Sequence, residues 1–308
     1  IFGPVNSEKD FEAYYRKDMY KSKNIQFWGR IDLSSEKFKK IAETRSWNWQ
    51  QGCMMQWMPA EYNNKIIFND YRSGDFVSVI KNINSQEEKV LPMPIYDVHP
   101  KGKFALTLNF ARLDHTREGY GYKGKEDPYK NEPAPKEDGI YRLDLESGEN
   151  KLLISLSNLY KNKHKKGMEE GDHWVNHLTF NPSGSRFTFF HRWQRKDGRV
   201  DTRLYTANAD GTDLYLLLDT SMASHFCWKG DEEILVWGRE STPLSKASEK
   251  GSWMKFALPI YHKLGISKIA KGIIRRKIIG DNFLLMKDKS NEYKKIGSTK
   301  LENGHPSF

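Results

Sequence analysis

Three histidines in this sequence stand three residues before an aromatic side chain: His177 before Phe180, His225 before Trp228 and His305 before Phe308. Each triplet reads as part of a strand, so one position recurs in three similar units. Neutral imidazoles that converge from such units are good ligands for ions of the Mn, Zn or Fe type. The competing reading is that each histidine merely ends a strand and hydrogen-bonds its neighbour. A fourth, His191, closes the second strand of the hairpin Asn176–Trp193, NHLTFNPSGSRFTFFHRW. Its pKa range makes it a candidate proton acceptor.

Two further groups have chemistry in them. Arg112 and Arg117, followed by Tyr120 and Tyr122, suit a carboxylate, because a guanidinium matches that group bidentately; they also suit an ordinary solvated loop. Trp47 and Trp49 alternate with Asn48, Gln50 and Gln51. Such a mixture of aromatic faces and amides makes a platform for a sugar ring, or else the tryptophans are plain core.

The elements that must carry these residues are short strands. Cys53–Trp57, Lys65–Asn69, Phe76–Ile80 and Glu88–Leu91 form one set of four. Ile95–Val98, Phe104–Asn109, Gly139–Leu145 and Lys151–Ser155 form the next. A third set comprises His177–Phe180, Phe187–His191, Arg203–Ala207 and Leu214–Asp219, and a fourth His225–Trp228, Glu233–Trp237, Phe283–Lys287 and Tyr293–Ser298. A matching pair, Gln26–Leu33 and Phe38–Ala42, precedes them. Four-stranded units at a period of about 45 residues predict an all-β fold, a β-propeller of four-stranded blades. Inserts interrupt the period at 113–138 and 239–281. The second contains Ile266–Ile279, apolar at helical spacing and basic on its other side, which reads as a cover helix, a membrane-surface helix or a contact for a protein partner. His305 begins a unit that the sequence does not continue, and the first unit lacks its opening strands. The expectation is one propeller domain over 1–308, a fragment open at both ends of a ring of seven blades.

Composition sets the outer limits. The chain has 308 residues, 37% of them apolar and 13% aromatic, enough for a core without staples. No run approaches the apolar length of a transmembrane helix. The two cysteines, Cys53 and Cys227, have no metal-type spacing and leave oxidising and reducing compartments, bacterial cytoplasm or periplasm, equally open. A net charge of +10 favours acidic partners. No nucleic-acid-binding motif accompanies it, so no nucleic acid is expected, and an anionic glycan is the better match.

From His177 to Trp228, and again at His305-Pro306-x-Phe308, the sequence resembles the oligogalacturonate lyases, a polysaccharide lyase family of seven-bladed propellers. The match consists of a histidine-led strand, a Pro turn, a strand ending at His191, an Asn-x-Asp-Gly turn and Ser224-His225 before an aromatic strand. The resemblance implies a divalent ion, typically manganese, at His225 and His305, with His177 in the same register. The family adds a histidine and a glutamine where this chain has Asn303 and Lys300. It also implies β-elimination on uronate-containing acidic oligosaccharides. The ion and arginines would neutralise the carboxylate and acidify the C5 proton. In that scheme His191 or Arg112 is the base, Arg117 and Arg192 grip carboxylates, and Trp49, Gln51 and Tyr122 contact the sugar. His191 is the better base, because a guanidinium does not deprotonate in proteins. The alternative expectation is a non-catalytic propeller that binds an anionic glycan or a protein in surface-polysaccharide metabolism.

Overall fold

A computed structural model describes residues 26–31, 38–62, 64–241, 280–297 and 304–307. The chain divides into two compact units, 1–158 and 159–308.

In the first unit, β1 (Gln26–Ile31) pairs with β2 (Phe38–Thr44). A four-stranded antiparallel sheet follows, running in sequence order through β3 (Gln56–Trp57), β4 (Lys65–Arg72), β5 (Asp75–Asn82) and β6 (Glu88–Leu91). The next sheet repeats that order with β7 (Asp97–Val98), β8 (Phe104–Leu108), β9 (Gly139–Asp144) and β10 (Asn150–Ser155). The second unit has two more: β11 (His173–Phe180), β12 (Arg186–Gln194), β13 (Val200–Asn208) and β14 (Tyr215–Leu218), then β15 (Ala223–Lys229), β16 (Glu233–Arg239), β17 (Asp281–Lys287) and β18 (Tyr293–Ile296). All four sets of strands expected from the repeat are therefore present as blades. The insert between β8 and β9 opens with a short helix, α1 (Phe110–Thr116), capped by the side chain of Asn109. Ile266–Ile279 lies outside the described residues.

Each blade buries both faces, because successive strand residues point to opposite sides. Ile66 and Phe68 of β4 join Ile41, Ala42, Val77 and Val79 in one cluster. Ile67, between them in sequence, joins Ile95, Ala105 and Leu143 in another, which binds the first blade to the second. In the second unit, Phe190 and Leu204 pack with Trp228, Ile234, Val236 and Leu284, tying β11–β14 to β15–β18. Burying side chains of this size stabilises by about 1.5–3 kcal/mol each. Polar ties add direction. Asn69 donates to the carbonyl of Ile95 at 2.7 Å and accepts from its N–H at 2.6 Å, and Trp228 Nε1 donates to the carbonyl of Thr179 at 3.1 Å.

Candidate functional site

The first strands of the two blades in the second unit share a defect at one place. Pairing in β11 runs Asn176 with Phe190 and then Thr179 with Thr188, so an extra residue is accommodated between them. In β15 it runs Ser224 with Trp237 and then Phe226 with Val236. The residues at these bulges are His177 and His225, with left-handed φ of 55° and 37°. Met54, just before β3, has φ 55°. Left-handed backbone costs an L-residue about 1–2 kcal/mol. Bulges of this kind re-aim a side chain, and they gather at functional sites.

His177 is half-buried, its ring edge-on to Phe190 at 5.5 Å. The half-buried His225 lies 3.3 Å through Nδ1 from Ser224 Oγ, and its ring centre is 4.1 Å from that of the exposed His305. Phe190 meets Phe226 edge-on at 5.0 Å, and the Arg192 guanidinium lies over the Phe190 ring at 4.7 Å. One face of the β11–β12 pair therefore gathers Trp174 opposite Arg192 and Asn176 opposite Phe190, beside the histidine bulge. Asn176 is 0% exposed, and neither its Nδ2 nor its Oδ1 has a hydrogen-bond partner among the described residues. The indole N–H of Trp174, equally buried, has none either. Leaving such a group unsatisfied costs about 1–3 kcal/mol, so a cluster of them calls for an explanation.

The opposite face carries a different arrangement. His173 Nε2 lies 2.7 Å from the carbonyl of Met168, which can only accept, so that nitrogen bears the hydrogen. His173 Nδ1 is then the acceptor, and His191 Nε2 donates to it at 2.8 Å. What remains is a lone pair on His191 Nδ1, buried and without a hydrogen-bond partner among the described residues. Burial first, then His173 and the cations Arg203 and Lys165, hold the His191 pKa well below the ordinary value of 6.5. His191 is thus a neutral imidazole. It shares its side of the sheet with Trp193 and with Arg203, whose guanidinium forks onto Asp219 at 2.8 and 3.1 Å. Alternation along β12 therefore separates His191 from Arg192. His173 lies within β11, and it is the partner that fixes the His191 tautomer.

The chain is built of β-propeller blades. It is similar to TolB from Acinetobacter baumannii (13% identity, TM-score 0.38, 70% of this chain and 49% of that one). It is similar also to the β-propeller domain of the Trilobed protease from Pyrococcus furiosus (9%, 0.42, 82% and 57%) and to an acylaminoacyl peptidase (12%, 0.38, 76% and 31%). The chain spans from 31% to 57% of the length of these three proteins. No protein-family model matches it, and no curated protein does.

For the metal expected from His177, His225 and His305, the propeller brings the last two together and sets His177 against Phe190. Among the described residues no group of three or more His, Cys, Asp or Glu side chains could hold a metal ion. Two imidazoles make an incomplete donor set for a manganese-type ion, which favours oxygen ligands and high coordination. Asn303 and Lys300 lie outside the described residues.

The candidates of the first unit fall mostly into structural roles. Arg112 is 2% exposed on α1. It donates to Asp127 at 3.1 Å and to the carbonyls of Tyr129, Glu132 and Pro133 at 3.2, 3.0 and 2.8 Å. A guanidinium so enclosed organises the insert, which corrects its expected place as a base. Tyr122 is buried, stacked on Phe110 at 4.2 Å, with its hydroxyl accepting from Asn69 at 2.9 Å. That position makes it core, not a sugar contact. Gln51 accepts the Tyr96 hydroxyl at 2.7 Å, and Trp49 meets Trp47 edge-on at 5.4 Å, both half-buried. Arg117 lies 4.3 Å over the ring of its neighbour Tyr120, at the C-terminus of α1.

Proposed function

We propose that the second unit binds an acidic oligosaccharide on the β11–β12 face beside the histidine bulges. The observation that carries this reading is the Asn176 amide, buried with both its donor and its acceptor unengaged. An amide in that state matches a sugar hydroxyl, which donates and accepts at once. The Trp174 indole adds a donor, half-buried Phe226 supplies apolar surface, and the Arg192 guanidinium, over the buried Phe190 ring, supplies the charge that favours a carboxylate. Half-buried His177 and His225 border the same face from two adjacent blades. The chain's +10 charge favours an anion over a neutral ligand.

The reading is tested by titrating the full chain calorimetrically with uronate oligosaccharides and with neutral ones of the same length. Binding of the acidic series alone is expected, weakened about tenfold or more in Asn176→Ala. Equal binding of the neutral series, or an Asn176→Ala variant with unchanged affinity, overturns it.

β-Elimination is the second reading, and the observation that favours it is the His225–His305 ring contact, a solvent-reachable imidazole pair. There the imidazole would remove the C5 proton as the 4-oxygen leaves. Ultraviolet absorbance of the unsaturated uronate product reports it. A His225→Ala variant with undiminished turnover removes that pair from the chemistry.

A further inference from the structure

The first unit contains a cavity of about 580 Å³, within the range of small-molecule sites. It opens where the turns of its two blades meet: the β3–β4 connection, the β5–β6 hairpin, and the β7–β8 and β9–β10 turns. Its floor is apolar. Met58 and Leu145 belong to the cluster that joins the two blades, and Tyr62 and Ile80 pack against it. Gly102 holds the Tyr62 ring in the wall. It has φ +64°, and a Cβ there would stand 2.4 Å from that ring, so no other residue lets the turn approach so closely.

The charges around the opening are not equivalent. Glu88 is neutralised by Arg72 at 2.9 Å and Lys81 at 3.0 Å. The Asp144 carboxylate accepts the N–H groups of Glu146 and Ser147 and so closes its own turn. Lys89 donates to the carbonyl of Glu146 at 2.6 Å. Lys65 and Lys103 have neither an ion pair nor a side-chain hydrogen bond among the described residues. The remaining carboxylates, Glu87 and Glu146, are exposed at the rim, whereas Lys65 is half-buried and its carbonyl bonds the N–H of Met58 on the floor. Lys65, the half-buried lysine of the lining, and the exposed Lys103 are thus its two cations with neither counter-charge nor side-chain hydrogen bond among the described residues.

From this placement we infer that the cavity binds an amphiphilic anion, an aliphatic or aromatic body bearing one carboxylate, with the carboxylate on Lys65 and Lys103 and the body on Met58, Tyr62, Ile80 and Leu145. The site is independent of the glycan face of the second unit. Octanoate is the probe, with octylammonium as its charge-reversed counterpart, followed by calorimetry and by methyl NMR of Met58, Ile80 and Leu145. Octanoate is expected to saturate and to perturb those methyls, and octylammonium to do neither. Lys65→Met keeps the apolar stem and removes the charge; it is expected to weaken octanoate about tenfold, and the exposed Lys103→Met to weaken it less. Asn176→Ala is expected to leave octanoate binding unchanged. Equal binding of octylammonium, no saturation by octanoate, or unchanged affinity in both lysine variants overturns the proposal.

Discussion

Asn109 and Asn176 are the same side chain in opposite circumstances. Asn109 accepts the N–H groups of Ala111 and Arg112 at 3.1 Å each, and donates to Asp127 at 3.0 Å and Asp138 at 2.9 Å. Every polar atom of its amide is used inside the first unit. Asn176 uses none inside the second. Around Asn109 the neighbours are equally engaged, with Arg112 closed by one carboxylate and three carbonyls. Around Asn176 lie Trp174 and two backbone bulges that hold histidines in left-handed conformation. Buried polar groups in the first region hold an insert to its blade. Those in the second have no hydrogen-bond partner among the described residues. Burial and polarity alone do not distinguish structure from site; the partner count does.

The largest effect that would test this contrast is at Arg112. Arg112→Met leaves Asp127 buried without its cation and is expected to destabilise the chain by about 3–5 kcal/mol in denaturant titration. Glycan binding in the second unit should be untouched. Asn109→Ala removes a helix cap together with two donors to carboxylates, for an expected loss of about 1–2 kcal/mol. Asn176→Ala is the mirror experiment: stability unchanged or raised by up to about 1 kcal/mol, with ligand affinity reduced. A loss of stability as large as that at Asn109 would erase the contrast.

A pH experiment sharpens the account of the other face of β12. His191 has its pKa depressed in the fold, so above the ordinary 6.5 both folded and unfolded forms are neutral and its stabilisation is fully present. As pH falls below 6.5 the unfolded chain takes up a proton that the folded one refuses. Stability should then fall, with a limiting slope of about 1.4 kcal/mol per pH unit for one proton. Chemical denaturation of wild type and His191→Phe between about pH 5 and 7 separates this contribution from other groups. An unchanged slope in the variant would show that another group is responsible. The smallest effect is at His177, where glycine relieves the left-handed backbone: His177→Gly is expected to be within about 1 kcal/mol of wild type, on the stable side.

The fold was legible because it repeats. Turns such as Asn181–Gly184 and Asn208–Gly211 punctuate the strands, and apolar alternation fills the intervals, so all four blades fall where the pattern puts them. The candidate site was legible only in part. Register singles out His177 and His225, and both stand at bulges. His173 and Asn176 were missed because a pattern of apolar and polar residues treats a polar side chain as outward, and both point inward. Arg112 was misread for the complementary reason. Seven residues are too few to show a helical period, and Asp127, its partner, is 15 residues away across an insert. The readable clue was Asn109, a capping residue just before Phe110-Ala111.

The bulge in the first strands has a consequence for how this architecture changes. In the first strands of two sheets the backbone takes the same left-handed step at a histidine, and Met54 takes it just before the first strand of a third. Pairing resumes on the far side of each step, so the residue there is decoupled from the ladder that holds the blade together. Such a position works as a socket: its side chain can be exchanged while the scaffold keeps its hydrogen bonds.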